Sequence, residues 1–159
     1  EGGAKIVKLE GGAGQVEIVE FLASHDIAVC AHLGLKPQSV HKVGGFRVQG
    51  REEAAAKQML ADAKALEAAG ADVVLLECIP ATLGAEITQA LHVPVIGIGA
   101  GPDTDGQILV LYDVLNITSG RKPRFSKDFM IGHESPLEAV KAYVRAVKEK
   151  TYPGPEHCF

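Results

Sequence analysis

The sequence lacks the features that mark several broad classes of protein. It has no block of basic residues: its 16 lysines and arginines are mixed with 20 aspartates and glutamates, and its formal net charge is −4. This balance disfavours binding to nucleic acid or to an anionic membrane surface. The apolar runs are too short to cross a bilayer, and the N-terminus carries no signal-peptide pattern. The 159 residues, of which 47% are hydrophobic, predict a single domain over 1–159 with a sizeable core.

Cysteine is scarce as well. Cys30, Cys78 and Cys158 are an odd number without framework spacing, and no cluster of cysteine, histidine and aspartate has zinc spacing. Cys30 and Cys78 lie in apolar, strand-like runs. This favours buried free thiols in a reducing compartment, and hence a cytoplasmic protein, over a metal or redox role. The G-x-S-x-G and Walker A motifs are also absent, so neither a serine-hydrolase elbow nor a P-loop is predicted.

Short apolar runs alternate along the chain with segments of helical periodicity. Strands are predicted at 4–10, 27–35, 72–80 and 93–101, helices at 15–25, 51–69, 81–91 and 135–150, and a further helix somewhere within 104–115. The pattern of 121–129 is ambiguous, and a short irregular strand is one interpretation of it. The last helix begins at a predicted capping box of Ser135 and Glu138. Repeated strand–helix units predict a parallel sheet covered by helices. Functional sites in such folds form at the carboxyl ends of the strands.

Glu77 is the main candidate for a functional residue. It ends the apolar run 73–76, which predicts a strand that is buried on both faces. Period-2 alternation places Glu77 on the same face as Leu75 and Ile79, where an ionised carboxylate is costly without a partner. A catalytic base at a strand end and a structural carboxylate paired with a buried cation both account for it. We favour the catalytic base.

Other candidates follow the neighbouring strands. Lys8 and Glu10 share one strand face, and they either neutralise each other or place a cation and an anion beside a substrate carboxylate and a metal. His32 is a structural histidine or a ligand contact. The glycine-rich segment 97–101 does not fit the dinucleotide fingerprint, so we expect close backbone packing or close approach to a ligand there. The long loop 36–50 is a candidate lid or binding segment.

Seven short motifs, taken in order, resemble the ketopantoate hydroxymethyltransferase family. They are 5–12 (KIVKLEGG), 30–39 (CAHLGLKPQS), 44–51 (GGFRVQGR), 76–80 (LECIP), 94–101 (PVIGIGAG), 105–107 (DGQ) and 152–154 (YPG). Each motif is weak alone, but the ordered set is specific and covers nearly the whole chain. The resemblance implies an α/β fold, the (β/α)₈ TIM barrel, of which this chain covers the later strands and helices. It also implies assembly as a homodecamer.

The resemblance implies an activity and roles for four residues. Members transfer a hydroxymethyl group from 5,10-methylenetetrahydrofolate to 3-methyl-2-oxobutanoate, which gives 2-dehydropantoate in pantothenate biosynthesis, and they use Mg²⁺. Glu77 then matches the base that removes the C3 proton of the keto acid and forms an enolate that Mg²⁺ stabilises. Lys8 and His32 match substrate-binding residues. Glu10 matches the acidic residue of the metal site.

The resemblance starts at the fourth strand of the family. The upstream strands carry two aspartates that bind the metal directly, and Asp103 and Asp105 do not stand in a matching motif. A complete barrel takes about 250 residues, so we expect a longer protein or a second chain, and an inactive chain when it is alone. Two alternatives stay open: another Mg²⁺-dependent enzyme of 2-oxo acids on the same barrel, such as a lyase, and a non-catalytic fragment.

Overall fold

A parallel sheet with helices packed on it organises the chain. The computed structural model describes residues 2–39 and 47–159. The strands are β1 (Ile6–Glu10), β2 (Ala28–Gly34), β3 (Val73–Glu77), β4 (Val95–Ile98) and β5 (Gly106–Gln107). The helices are α1 (Val16–Ala23), α2 (Glu53–Ala68), α3 (Ala81–Ala90), α4 (Leu111–Val114) and α5 (Pro136–Lys148), with 3₁₀ turns at Ala13–Gln15, Pro37–Ser39 and Pro155–His157. The expected α/β class and the four longer strands are confirmed.

The strands follow one another across the sheet in chain order. All four pairings are parallel, and the order is β1-β2-β3-β4-β5. Glu10 is in register with His32, and Gly34 is in register with Glu77. The carboxyl ends of β1, β2 and β3 therefore lie side by side, and this neighbourhood contains all the candidate polar residues.

The two faces of the sheet are buried in different ways. Val29, Val74, Leu76 and Val95 are fully buried in a core that also includes residues of α1, α2 and α3. This is the helix-side core. The opposite face contributes an inner cluster, which consists of Leu35, Leu75, Cys78, Ile98 and Phe125. Burial on both faces explains why β3 is a continuous apolar run, and each fully buried leucine or valine contributes about 1.5–3 kcal/mol.

The alternation predicted for β3 fails directly after Glu77. Cys78 has a φ of +54°, so the chain turns in the left-handed region instead of continuing the pleat. As a result Cys78 joins the inner cluster with Leu75, whereas Ile79 packs in the helix-side core. The prediction that Ile79 shares the face of Glu77 is wrong for this reason.

The segment 104–115 contains a helix, as predicted, but only a short one at its end. The segment forms the short strand β5 and then the one-turn helix α4. Its polar side chains bond to the backbone in non-helical patterns: the Asp105 carboxylate accepts from Val95 N at 2.8 Å, and the Thr104 hydroxyl donates to Gly106 O at 2.9 Å. Such local side-chain bonds compete with helix formation, and they fix β5 beside β4.

Two smaller predictions for the carboxyl-terminal part of the chain also differ from the structure. Residues 121–129 form no strand. Helix α5 begins after Ser135, whose hydroxyl accepts from Glu138 N at 3.3 Å, but the Glu138 carboxylate accepts from Glu134 N instead of Ser135 N. The capping box is therefore only half formed. Among the described helices, none combines the length and the apolar character that a bilayer crossing requires.

Candidate active site

Three charged or titratable side chains form a row across the ends of three adjacent strands. Lys8 on β1 donates from Nζ to His32 Nδ1 on β2 at 3.1 Å. On the other side of the imidazole, His32 Nε2 lies 3.2 Å from Oε2 of Glu77 on β3. His32 is only 2% exposed and Glu77 is 14% exposed. The parallel register brings these residues together although they are distant in sequence, and we call them the Lys8–His32–Glu77 row.

The hydrogen bond from Lys8 fixes the tautomer of His32. An ammonium group can only donate hydrogen bonds, so Nδ1 of His32 is the acceptor and the ring proton is on Nε2. Although Nε2 is close to Glu77, the angle is poor, and Nε2 is buried without a hydrogen bond to any described residue. An unsatisfied buried donor is costly, and this one is next to the candidate base. The atom is therefore available to a ligand or to a small shift of the Glu77 carboxylate.

Glu10 contacts the Lys8–His32–Glu77 row through a hydrogen bond from Lys8. Its Oε1 accepts from Lys8 Nζ at 3.0 Å, and its Oε2 accepts from Gln38 N at 3.3 Å. Burial alone raises the pKa of Glu10, but the hydrogen bond and charge of Lys8 and the Gln38 N–H together hold the pKa below its usual 4.5. Glu10 is therefore an anion at neutral pH, and it neutralises Lys8 in part.

Backbone contacts hold Glu77 at the end of β3. Leu35 N donates to Glu77 O at 2.8 Å. The chain reaches this contact through Gly34, which has a φ of +91°, and a Cβ on Gly34 would lie 2.1 Å from Glu77 O. Position 34 therefore requires glycine. The close approach connects the strand that carries His32 to the strand that carries Glu77.

The two cysteines near the row are unreactive thiols at neutral pH. Burial raises the pKa of Cys78 to about 11, with the charge of Glu77 raising it further and that of Arg51 opposing it. Burial also raises the pKa of Cys30, against the charge of Lys8. Protonated thiols are poor nucleophiles and poor metal ligands. All three cysteines are free, in agreement with the interpretation as structural thiols.

The described residues do not form a complete magnesium site. Within 2–39 and 47–159, no group of three or more histidine, cysteine, aspartate or glutamate side chains is placed to hold a metal ion. Both carboxylate oxygens of Glu10 already accept hydrogen bonds. Asp105 is bonded to the backbone of β4. Mg²⁺ requires near-octahedral oxygen ligation, and Glu10 alone does not supply it.

The glycine-rich segment after β4 serves close packing. A Cβ on Gly97 would lie 2.7 Å from Thr104 Oγ1, and a Cβ on Gly99 would lie 2.4 Å from Cδ1 of Phe125. Gly101 has a φ of +83°, and its Cβ would lie 2.5 Å from Cβ of Ala81. The segment is therefore packed against its own fold, as expected for a sequence that departs from the dinucleotide fingerprint.

Part of the long loop 36–50 lies outside the described residues, namely 40–46, so the lid remains a prediction. The described residues 47–50 and the following Arg51 carry a feature that the sequence interpretation missed. Arg47 and Arg51 line a cavity next to the end of β3. A signal for it exists in the sequence: no acidic residue occurs between Asp26 and Glu52.

Comparison with known proteins shows one family throughout. The chain matches the family model described as ketopantoate hydroxymethyltransferase over residues 1–155. It is 64% identical over 159 residues to the 3-methyl-2-oxobutanoate hydroxymethyltransferase of Alkalilimnicola ehrlichii, and the match covers 100% of this chain and 57% of that protein. Identity to the protein of the same name in Halorhodospira halophila is 59% over 159 residues, which cover 100% of this chain and 58% of that protein.

A further relative is 3-methyl-2-oxobutanoate hydroxymethyltransferase 2 of Burkholderia lata. It is 58% identical over 157 residues, and the match covers 99% of this chain and 58% of that protein. The chain thus spans 57% to 58% of the length of these relatives.

Proposed function

Since the chain belongs to the ketopantoate hydroxymethyltransferase family, we propose that its complete protein converts 3-methyl-2-oxobutanoate to 2-dehydropantoate. The hydroxymethyl group comes from 5,10-methylenetetrahydrofolate, and the product serves pantothenate synthesis. One observation supports this proposal more than any other. A cation, a buried imidazole and a carboxylate form the Lys8–His32–Glu77 row at adjacent strand ends, where α/β folds form their sites.

Lys8 is proposed to bind the keto acid. Its ammonium group has three protons, and Glu10 and His32 accept two of them. Its side chain is 44% exposed, so the third proton can reach a carboxylate or keto oxygen of the substrate. A fixed positive charge there stabilises the negative charge that develops on the keto oxygen when C3 loses its proton.

Glu77 is proposed to act as the base. Its carboxylate accepts no hydrogen bond from any described residue, so its lone pairs are available to a proton. The C3–H bond of the keto acid breaks, the proton moves to Glu77, and the electron pair remains on the enolate. The enolate carbon then forms a bond to the methylene carbon of the folate, and both bonds from that carbon to the folate nitrogens break. Water supplies the hydroxyl group, and the folate nitrogens take up the remaining proton of the water and the proton held by Glu77. With one water, the products are 2-dehydropantoate and tetrahydrofolate.

We include Mg²⁺ and the folate co-substrate in the proposal because the chain belongs to this family. When bound, Mg²⁺ supplies Lewis-acid stabilisation of the keto-acid oxygens. Glu10 is the carboxylate that this chain offers to it, and it faces Lys8 and His32. The ion needs further ligands from outside the described residues.

The proposal extends to the fold and the assembly of the complete protein. A five-stranded parallel sheet in chain order is the arrangement that successive units of a (β/α)₈ barrel have. We propose that 1–159 is the later part of one such barrel domain. The homodecamer and the cytoplasmic location stay predictions, and sedimentation of the complete protein tests the former.

The test of the function is formation of 2-dehydropantoate by the complete protein with both substrates and Mg²⁺. Glu77→Gln removes the base but keeps the shape, so we expect product formation to fall by about 10²–10⁴-fold. Glu86→Gln is the matched control, because Glu86 is exposed on α3, the helix that follows β3. No product from the wild-type protein, or full activity of Glu77→Gln, would contradict the proposal.

Dependence on the folate distinguishes the proposed transferase from the alternative, another enzyme that acts on 2-oxo acids. A lyase that uses the same site converts its substrate without a one-carbon donor. Turnover that is unchanged when 5,10-methylenetetrahydrofolate is left out would therefore favour the alternative.

A further inference from the structure

The arginine-lined cavity is separate from the Lys8–His32–Glu77 row. Its volume is about 510 Å³, and residues 47–52 and Ala55 line it. Cavities of this size bind small organic molecules. No member of the row contributes to its wall, so the keto acid does not account for the cavity.

Backbone contacts fix the cavity beside the candidate base. Gln49 N donates to Cys78 O at 2.9 Å, and Cys78 directly follows Glu77. Val48 packs against the inner cluster. Gly50 has a φ of +71°, and a Cβ there would lie 2.6 Å from Cδ2 of Leu83 on α3. The segment is therefore held between the end of β3 and the helices, and it places its arginines at the rim of the site.

The cavity is electropositive in a chain that is acidic overall. Between Asp26 and Glu52 the sequence has four basic residues and no acidic one, although the net charge of the chain is −4. The basic residues are Lys36, Lys42, Arg47 and Arg51. They are spread along the sequence and do not form a compact basic block, and two of them, Arg47 and Arg51, line the cavity.

Carboxylates balance the charge of the two cavity arginines only in part in the described structure. Both are exposed, and neither forms a salt bridge within 2–39 and 47–159. The neighbouring residues 40–46 contain no aspartate or glutamate, so they cannot neutralise the arginines. Glu52 also lines the cavity, but one carboxylate does not balance two guanidinium groups.

We propose that Arg47 and Arg51 bind the glutamyl carboxylates of the folate co-substrate. This inference rests on the proposed function. The glutamyl group carries two carboxylates, and a guanidinium binds a carboxylate through two parallel hydrogen bonds. The one-carbon unit at the pterin end must approach C3 of the keto acid beside Glu77, and the glutamyl end lies at the opposite end of the folate. The cavity lies near the end of β3 and is not lined by Lys8, His32 or Glu77, so it is available to that end.

The excess of positive charge predicts a preference among folates. Each additional γ-glutamyl unit adds one carboxylate, and the positive charges of Arg47 and Arg51 attract it. A triglutamyl folate therefore binds more tightly than a monoglutamyl folate, and the difference weakens with salt because exposed charges are screened.

The experiment uses the complete protein and the double variant Arg47→Gln/Arg51→Gln. The exposed Arg145→Gln on α5 is the matched control. We expect kcat/KM for the folate to fall by about tenfold per arginine in the double variant, and the advantage of the triglutamate to shrink. The KM for 3-methyl-2-oxobutanoate stays near the wild-type value. Unchanged kcat/KM for the folate, or an equal rise in KM for the keto acid, would overturn the inference.

A binding measurement separates this inference from the proposed function. Calorimetry with p-aminobenzoyl-triglutamate needs no turnover, and we expect binding by the wild type and by Arg145→Gln but not by the double variant. No binding by the wild type would refute the inference even if the protein makes 2-dehydropantoate. Binding by the wild type without any deuterium exchange at C3 of the keto acid would refute the proposed function and leave the anion site standing.

Discussion

At the level of single residues, His32 connects the two charged side chains on either side of it. Each of its nitrogens faces one partner, Lys8 through Nδ1 and Glu77 through Nε2. Under the proposed roles, a buried imidazole in this position lies between Lys8, which binds the substrate, and Glu77, which is the base. The sequence could predict that Lys8, His32 and Glu77 end neighbouring strands. It could not predict which ring nitrogen faces which residue, because that depends on register and side-chain rotamers.

Two substitutions of His32 distinguish the roles of its two ring nitrogens. Asn places an amide near Nδ1 and keeps an acceptor for Lys8, whereas Gln reaches the position of Nε2 and keeps a donor beside Glu77. If Nε2 positions the base, Asn lowers the rate of proton removal by about 10²-fold, the order that misplacement of a reacting group costs. Gln lowers it less and instead raises the KM for the keto acid.

Steady-state kinetics of both variants, with kcat and KM resolved, give the answer. Equal losses in the two variants, accompanied by equal losses in melting temperature, would mean that His32 only fills space. The structural hypothesis for His32 would then be correct.

At the level of elements, strands and long helices follow from the sequence, whereas short polar connections do not. The apolar run of β3 and the helical periodicity of α2 are strong local signals, and both appear in the structure. Residues 104–115 also carry apolar residues at helical spacing, but the side chains of Thr104 and Asp105 bond to the backbone of β4 and β5. Those contacts are tertiary, so no local pattern encodes them.

One such tertiary contact connects α2 to the residues just before β4. Glu67, in the last turn of α2, accepts from His92 N at 2.6 Å and from Val93 N at 2.9 Å. Burial raises the pKa of Glu67, but these two N–H groups and His92 outweigh it and hold the pKa below its usual 4.5. A carboxylate is unfavourable at a helix C-terminus, so these bonds explain its presence.

Glu67→Gln is expected to lower the free energy of unfolding by about 1–2 kcal/mol at pH 7, because bonds to a charged acceptor become neutral ones. The folded pKa lies below the unfolded value, so the stabilisation is complete well above pH 4.5 and is lost as the pH falls through the folded pKa. Urea unfolding of wild type, Glu67→Gln and the exposed control Glu86→Gln across this range measures the difference. A deficit that persists at pH values below the folded pKa would contradict the account.

At the level of the whole molecule, β1 is one of the two edge strands of the described sheet. Among the described residues it pairs only with β2, and Ile6 on it is 46% exposed. Gly11 N donates to His32 O, so by period-2 alternation the amides of Val7 and Leu9 also point to β2, and those of Lys8 and Glu10 point away. A closed barrel would pair that outer edge with another strand.

The barrel proposal thus predicts slow amide hydrogen exchange at both sets of positions in the complete protein. Residue-resolved exchange by nuclear magnetic resonance compares Lys8 and Glu10 with Val7 and Leu9. Similar protection supports a strand on the outer side of β1. Fast exchange at Lys8 and Glu10 alone would show that the edge stays open, and the barrel would then be wrong.

The most direct test of the central claim is deuterium exchange at C3 of 3-methyl-2-oxobutanoate, catalysed by the complete protein with Mg²⁺ and without folate. This measurement isolates the transfer of the C3 proton to Glu77 from every later step. The account predicts exchange by the wild type and by Glu86→Gln, and a loss of about 10²–10⁴-fold in Glu77→Gln. Exchange that is undiminished in Glu77→Gln would contradict the assignment of Glu77 as the base.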